Sequence, residues 1–169
     1  HDPVGKITLV TRGSNKSLTW FTPTQDQNLI SANSLKARLA GLVGGRAAEQ
    51  VVYGMNQVTT LAGNDLKRME QTARAMVTQV GMTDVGTIAI DDGGMMGPSY
   101  SEALGSSIDN AIKDLTDEAV TTSLRICMSN RKILDRLAEE LVIAETLDGD
   151  RVRNIISDFT DIPEKEYMV

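Results

Sequence analysis

The sequence predicts a mainly α-helical fold with a small N-terminal β-hairpin. Beyond Ser31, apolar residues recur at three- and four-residue intervals in successive stretches, the period of helices with one buried face. Before it, apolar and polar residues alternate on either side of a turn-forming segment. Aromatic residues make up only 4% of the chain while Ala, Leu, Ile and Met abound, which suits helices better than sheets.

The hairpin is expected from Lys6 to Arg12 and from Leu18 to Thr22, joined by Gly13-Ser14-Asn15-Lys16-Ser17 and ended by Pro23. Trp20 and Phe21 are its main apolar anchors, and two strands alone must pack on helices. Ser31 is placed to cap the first helix, whose face carries Leu35, Leu39, Leu42, Val43, Ala47 and Val51 and which Gly54 stops. Gly41, Gly44 and Gly45 imply either close backbone packing or a break there. A second helix begins near Asn64, with Asn64 or Asp65 as cap. It carries the stripe Leu66, Met69, Ala73, Met76, Val77 and Val80, and Gly81 stands at its C-cap. A glycine-rich loop runs from Gly86 to Ser101. The third helix bears Leu104, Ile108, Ile112, Leu115, Ala119 and Ile126. The fourth, capped by Asn130, bears Leu134, Leu137, Ala138 and Leu141. The fifth, capped by Asp148, bears Val152, Ile155, Ile156 and Phe159. The charged tail from Pro163 is expected to fray.

At 169 residues the chain is read as one domain, 1–169, with a real core. A formal net charge of −6 and no basic stripe argue against nucleic-acid binding. One cysteine, Cys127, excludes an internal disulfide and reads as a small buried hydrophobe. No apolar run reaches the length of a membrane span and no signal-peptide pattern is present, so a membrane link is expected only outside this sequence. No complete metal-binding, triad or phosphate-loop motif occurs. One small, polar stretch, Val58-Thr59-Thr60-Leu61-Ala62-Gly63-Asn64-Asp65-Leu66, precedes a strongly amphipathic helix. By composition it reads as a helix start.

Five collinear segments nonetheless resemble the peptidase domain of the FtsH family, membrane-anchored ATP-dependent zinc metalloproteases. Val58-Thr59-Thr60 with Gly63-Asn64-Asp65-Leu66 is similar to V-T-T-G-A-x-N-D-L. Gly44-Gly45-Arg46-Ala47-Ala48-Glu49 with Tyr53-Gly54 is similar to G-G-R-x-A-E-E-x-x-x-G. Ala73-Arg74-Ala75-Met76-Val77-Thr78 with Gly81-Met82 is similar to A-R-x-M-V-T-x-x-G-M. Asp2-Pro3-Val4, Lys6-Ile7-Thr8 and Arg12-Gly13 resemble the segment after the family's zinc helix. Asn130-Arg131, Leu134-Asp135 and Glu145-Thr146-Leu147-Asp148-Gly149 resemble its last helices. Leu18-Thr19-Trp20-Phe21 before Pro23 looks most like the cyanobacterial and chloroplast branch.

The resemblance implies a helical metallopeptidase fold beside an AAA+ module that uses ATP. It also implies a hexameric ring of such subunits, and unfolded or membrane proteins as substrates. The branch implies the thylakoid membrane, with the peptidase domain facing stroma or cytoplasm. It implies zinc held by two histidines of an H-E-x-x-H helix and one aspartate, here Asp65, with Glu49 and Asn64 in a supporting or structural role. Leu18, Thr19, Trp20 and Phe21 are implied as a strand that pairs with substrate. The acidic loop from Asp91 to Gly97 and the small residues Gly41 to Gly45 are candidates for subunit or intrachain packing. The H-E-x-x-H segment is not in this sequence, and His1 is not expected to replace it. Leu61 stands where the family has glycine, and Gln50 where it has glutamate. Two readings are open: part of an active protease, with these 169 residues inert by themselves, or part of a homologue that has lost proteolysis and serves as a structural or assembly subunit. An unrelated helical interaction module would require all five likenesses to be accidental.

Overall fold

The computed structural model describes residues 3–10, 18–21, 29–86 and 100–160. Strands β1 (Val4–Thr8) and β2 (Leu18–Phe21) are followed by helices α1 (Ala32–Leu42) and α2 (Gly44–Tyr53). Two 3-10 turns, Met55–Gln57 and Thr60–Ala62, lead into α3 (Gly63–Thr78). Helices α4 (Glu102–Ser129) and α5 (Arg131–Ala144), strand β3 (Thr146–Asp148) and helix α6 (Gly149–Ser157) complete the order. The mainly helical class with a small β element is the one expected from the periodicity. The chain divides into two compact units, Leu29–Ser129 and His1–Asn28 with Asn130–Val169.

In the first of these units, α1, α2 and α3 each pack on the 28-residue α4. Their common core takes Leu39 and Val43 from α1 and its end, and Met69, Ala73, Met76 and Val77 from α3. From α4 it takes Ile108, Ile112, Leu115 and Ala119. These are the stripes read from the spacing. The cap at Ser31 is also present: its side chain accepts a hydrogen bond from the Ser34 amide.

Several expectations are corrected in this unit. The helix expected from Ser31 to Gly54 is two helices, because Val43 (φ −92°, ψ 4°) leaves helical geometry while keeping its side chain buried. A Cβ at Gly41 or Gly45 would meet nothing within 4 Å, so these glycines accompany a break rather than a close approach. Asn64 and Asp65 do not cap α3; they lie inside its first turn, after Ala62. The helix ends at Thr78, and Gly81 (φ 61°) follows in the left-handed region while the Met82 amide returns to the Met76 carbonyl. Val80 therefore falls beyond the buried stripe and is 53% exposed, and Ile126, near the end of α4, is likewise exposed.

In the second unit the strands form an antiparallel sheet of order β2-β1-β3. The expected hairpin is thus a three-stranded sheet, because Thr146–Asp148 closes back on β1 with Ile7 opposite Leu147. Thr8 and Thr146 join their hydroxyls at 2.8 Å, and the Leu9 amide donates to the Glu145 carbonyl at 2.8 Å. Glu145 itself ends α5 in the left-handed conformation (φ 57°). Leu147, Val152 and Ile155 form a small core with Ile7, Leu137 and Leu141 around them. That core lies behind β1 and β3. Trp20 and Phe21, expected as anchors, are on the edge strand β2 and each 59% exposed. Phe159, expected on the buried face of the last helix, lies past its end and is exposed. Ala138 is also exposed, and Ile133 is buried on α5 instead. The Asp148 cap is as expected, accepting from the Arg151 amide at 2.7 Å.

Candidate functional site

The candidate site is built where α2 hands over to α3. Gly54 (φ 87°, ψ 160°) turns the chain out of α2 in a conformation that disfavours a side chain. The 3-10 turn Met55–Gln57 then carries the backbone round, so that Thr59 returns beside Glu49 on the helix just left. Both oxygens of the Glu49 carboxylate are used. Oε2 accepts the Thr59 amide at 3.0 Å and Oε1 accepts the Thr59 hydroxyl at 2.7 Å. These two bonds, the amide first, hold the Glu49 carboxyl below the usual carboxylate range; the charge of Arg46 adds a smaller effect in the same direction. An ion pair of Glu49 with Arg46, which the helical spacing allows, is therefore not what holds this carboxylate.

The same Thr59 hydroxyl accepts the Leu61 amide at 3.3 Å and so caps the turn Thr60–Ala62. Leu61, in the family's glycine position, is accommodated with its side chain 64% exposed. From this turn the chain enters α3, where Asn64 is exposed and Asp65 is the acidic residue of the first turn. The positive end of the helix dipole favours a carboxylate there. The Asp65 side chain is 48% exposed, and Arg68 approaches it only to 4.0 Å. A pair so open to water is weak, which leaves the carboxylate able to take another cation.

An oxygen ligand of this kind suits zinc, but one carboxylate is not a zinc site. Among the described residues no three of His, Cys, Asp and Glu gather where they could share a metal. His1 lies outside the described residues, as does the loop from Asp91 to Gly97. Strand β2, the other implied site element, belongs to the sheet unit, and Asp65 to the helical one. Within the sheet unit β2 pairs with β1 on one side only, among the described residues. Burial pushes the Cys127 thiol up, away from the thiolate a nucleophile needs. No helix among the described residues is long and apolar enough to cross a membrane.

Spacing alone missed the part played by Thr59. The available signal was a threonine immediately ahead of a helical turn, a position where its hydroxyl commonly takes a free amide; the Asn-Asp pair beyond it drew the capping assignment instead.

Comparison with known proteins places the chain in a peptidase family. The family model of peptidase family M41 matches residues 1–155. The chain is 41% identical over 98% of its length to the ATP-dependent zinc metalloprotease FtsH of Trieres chinensis. It is 44% identical over 96% of its length to the ATP-dependent zinc metalloprotease FTSH 2, chloroplastic, of Oryza sativa subsp. japonica. Against the protein of the same name from Arabidopsis thaliana it is 43% identical over 99%. The chain spans 26–27% of the length of these relatives. All three carry the name of a protease.

Proposed function

Since the chain belongs to peptidase family M41, we propose that it is the peptidase part of an ATP-dependent zinc metalloprotease that degrades unfolded or membrane proteins. The observation that carries this reading is Asp65, a half-exposed carboxylate on the first turn of α3 with no cation closer than Arg68 among the described residues. Asp65 would supply one protein ligand to zinc, and two histidines of an H-E-x-x-H segment outside these residues would supply the others. A zinc held there would supply a Lewis acid for the scissile carbonyl and for water, and the glutamate of that segment would serve as general base. Asn64 accompanies Asp65 on the same turn, and Glu49 supports the approach to it.

Strand β2 is proposed as the substrate guide. Its outer edge is open among the described residues, and backbone pairing with an extended chain tolerates any sequence. ATP would act in a separate module that feeds the substrate, within a hexameric ring of similar subunits. The chloroplast names of two of the relatives support a chloroplast setting, and the thylakoid membrane, reached through segments outside this chain, is the finer proposal.

The test is Asp65→Ala in the longer protein that includes the H-E-x-x-H segment. Zinc content and ATP-driven casein degradation should both fall, while ATP hydrolysis persists. Parent levels of zinc and proteolysis would remove Asp65 from the site.

A further inference from the structure

We infer that Thr59 is a positioning residue for Asp65, acting through the turn between them and fixed in place by Glu49. The inference rests on the reading of Asp65 as a metal ligand.

Thr59 is exposed, yet its polar groups are turned inward to the protein. Its amide and its hydroxyl both donate to Glu49, at 3.0 and 2.7 Å, while the hydroxyl oxygen accepts the Leu61 amide at 3.3 Å. A carboxylate that grips one residue at two points fixes its orientation as well as its place. Only a residue with a β-hydroxyl can close this arrangement: serine keeps it, and valine, of the same shape, does not.

The segment from Thr60 to Gly63 transmits that orientation. The turn Thr60–Ala62 runs directly into α3, with the Gly63 amide bonded to the Thr60 carbonyl, so Thr59 to Asp65 is a continuous coiled path without a flexible joint. Helices α1 and α6 have their entries fixed by the side chains of Ser31 and Asp148. Helix α3 has no such cap, since Ala62 stands at that position. The start of α3 is held by the turn before it on one side and by Leu66 and Met69, packed in the core, on the other. Burial holds that turn only through Ala62, which is 8% exposed; Leu61, the larger apolar side chain, is turned to solvent. The polar clamp of Glu49 on Thr59 is a second restraint on the turn, and Asp65 follows three residues after Ala62, where the turn ends.

The test uses the longer protein with its H-E-x-x-H segment, carrying Thr59→Val, Thr59→Ser, Glu49→Gln or Asp65→Ala. Three quantities are read: zinc affinity by competition with a chelator, the visible spectrum of the cobalt(II)-substituted protein, and melting temperature without metal. Loss of an outer partner of a metal ligand typically weakens binding about 10–100-fold, and Thr59→Val should do the same and alter the cobalt spectrum. Thr59→Ser should match the parent, and Glu49→Gln, which keeps one of the two acceptors, should fall between. Hydrogen exchange at the Leu61 amide should quicken in metal-free Thr59→Val. Parent zinc affinity and cobalt spectrum in Thr59→Val, alongside zinc loss in Asp65→Ala, would overturn the positioning role and leave the ligand assignment standing. Undiminished zinc in Asp65→Ala would overturn the ligand assignment and the inference with it. Zinc losses that merely track losses of metal-free stability across the variants would also overturn it.

Discussion

Gly149 meets Val4 so closely that no side-chain carbon fits between them. A Cβ built on Gly149 would overlap the Val4 carbonyl oxygen and lie 3.2 Å from the Gly5 carbonyl oxygen. The contact joins the first residue of α6 to the irregular stretch of β1 between Val4 and Lys6. Both obstacles are backbone and cannot swing aside. Gly149→Ala should therefore destabilise the sheet unit by about 1–3 kcal/mol, as inserted methylenes do in packed sites. Urea unfolding followed by tryptophan fluorescence reads this directly, since Trp20 in β2 is the only tryptophan.

Leu39 is 0% exposed in the core that α1, α3 and α4 share. Leu39→Ala should cost about 2–5 kcal/mol through lost burial and the cavity left behind. Circular dichroism during denaturation would show an earlier loss of helix. An unchanged midpoint would mean that the site collapses around the smaller side chain.

Trp20 and Phe21 behave oppositely. At 59% exposure each, on an edge strand, they contribute little to the fold. Replacing either by serine should shift stability by no more than about 0.5 kcal/mol. In the longer protein, the double replacement should raise the KM for an unfolded substrate if β2 guides it. An unchanged KM would separate the exposed pair from substrate binding.

Glu140 should govern part of the acid response of the sheet unit. The Arg151 guanidinium of α6 donates to it at 2.9 Å, and with Arg136 it holds the Glu140 carboxyl below its ordinary value. A carboxyl lowered by folding stabilises the native state above its unfolded pKa. That contribution is lost as pH falls through the folded value. Melting temperature measured across acidic pH should therefore fall more steeply in the parent than in Glu140→Gln, while near neutrality the parent should be the more stable. Parallel curves would mean the network contributes nothing.

By themselves, the 169 residues should bind zinc weakly and leave casein intact, because a catalytic zinc needs about three protein ligands and among the described residues no three of His, Cys, Asp and Glu gather round Asp65. Calorimetry on the purified chain decides it. Stoichiometric, tight binding with chelator-sensitive cleavage would point to a different set of ligands.

Much of this architecture was legible as periodicity. Met69, Ala73, Met76 and Val77 could share one side of α3 only at helical spacing, and burial followed for each. Ser31 and Asp148 announced their helices because a short polar side chain before an apolar run has local amides to bond. The same chemistry misled at Asn64 and Asp65, which lie inside the first turn of α3 rather than at its cap.

Other features depended on residues far apart in the chain. Thr146–Asp148 is a strand only because β1, almost 140 positions earlier, offers its edge. The spacing of three residues carries no such information. Trp20 and Phe21 have the composition of a core, but their strand is at the sheet's edge and the small core gathers around Leu147, Val152 and Ile155 without them. Glu49 read as a supporting or structural residue, but its partner became visible only where the turn after Gly54 brought Thr59 back to it. Local sequence determined where the chain could coil and where a coil could begin, because those energies come from neighbours within about one helical turn. Tertiary structure decided which polar groups would meet, because a hydrogen bond needs its two partners in space and the backbone path between them is a property of the whole fold.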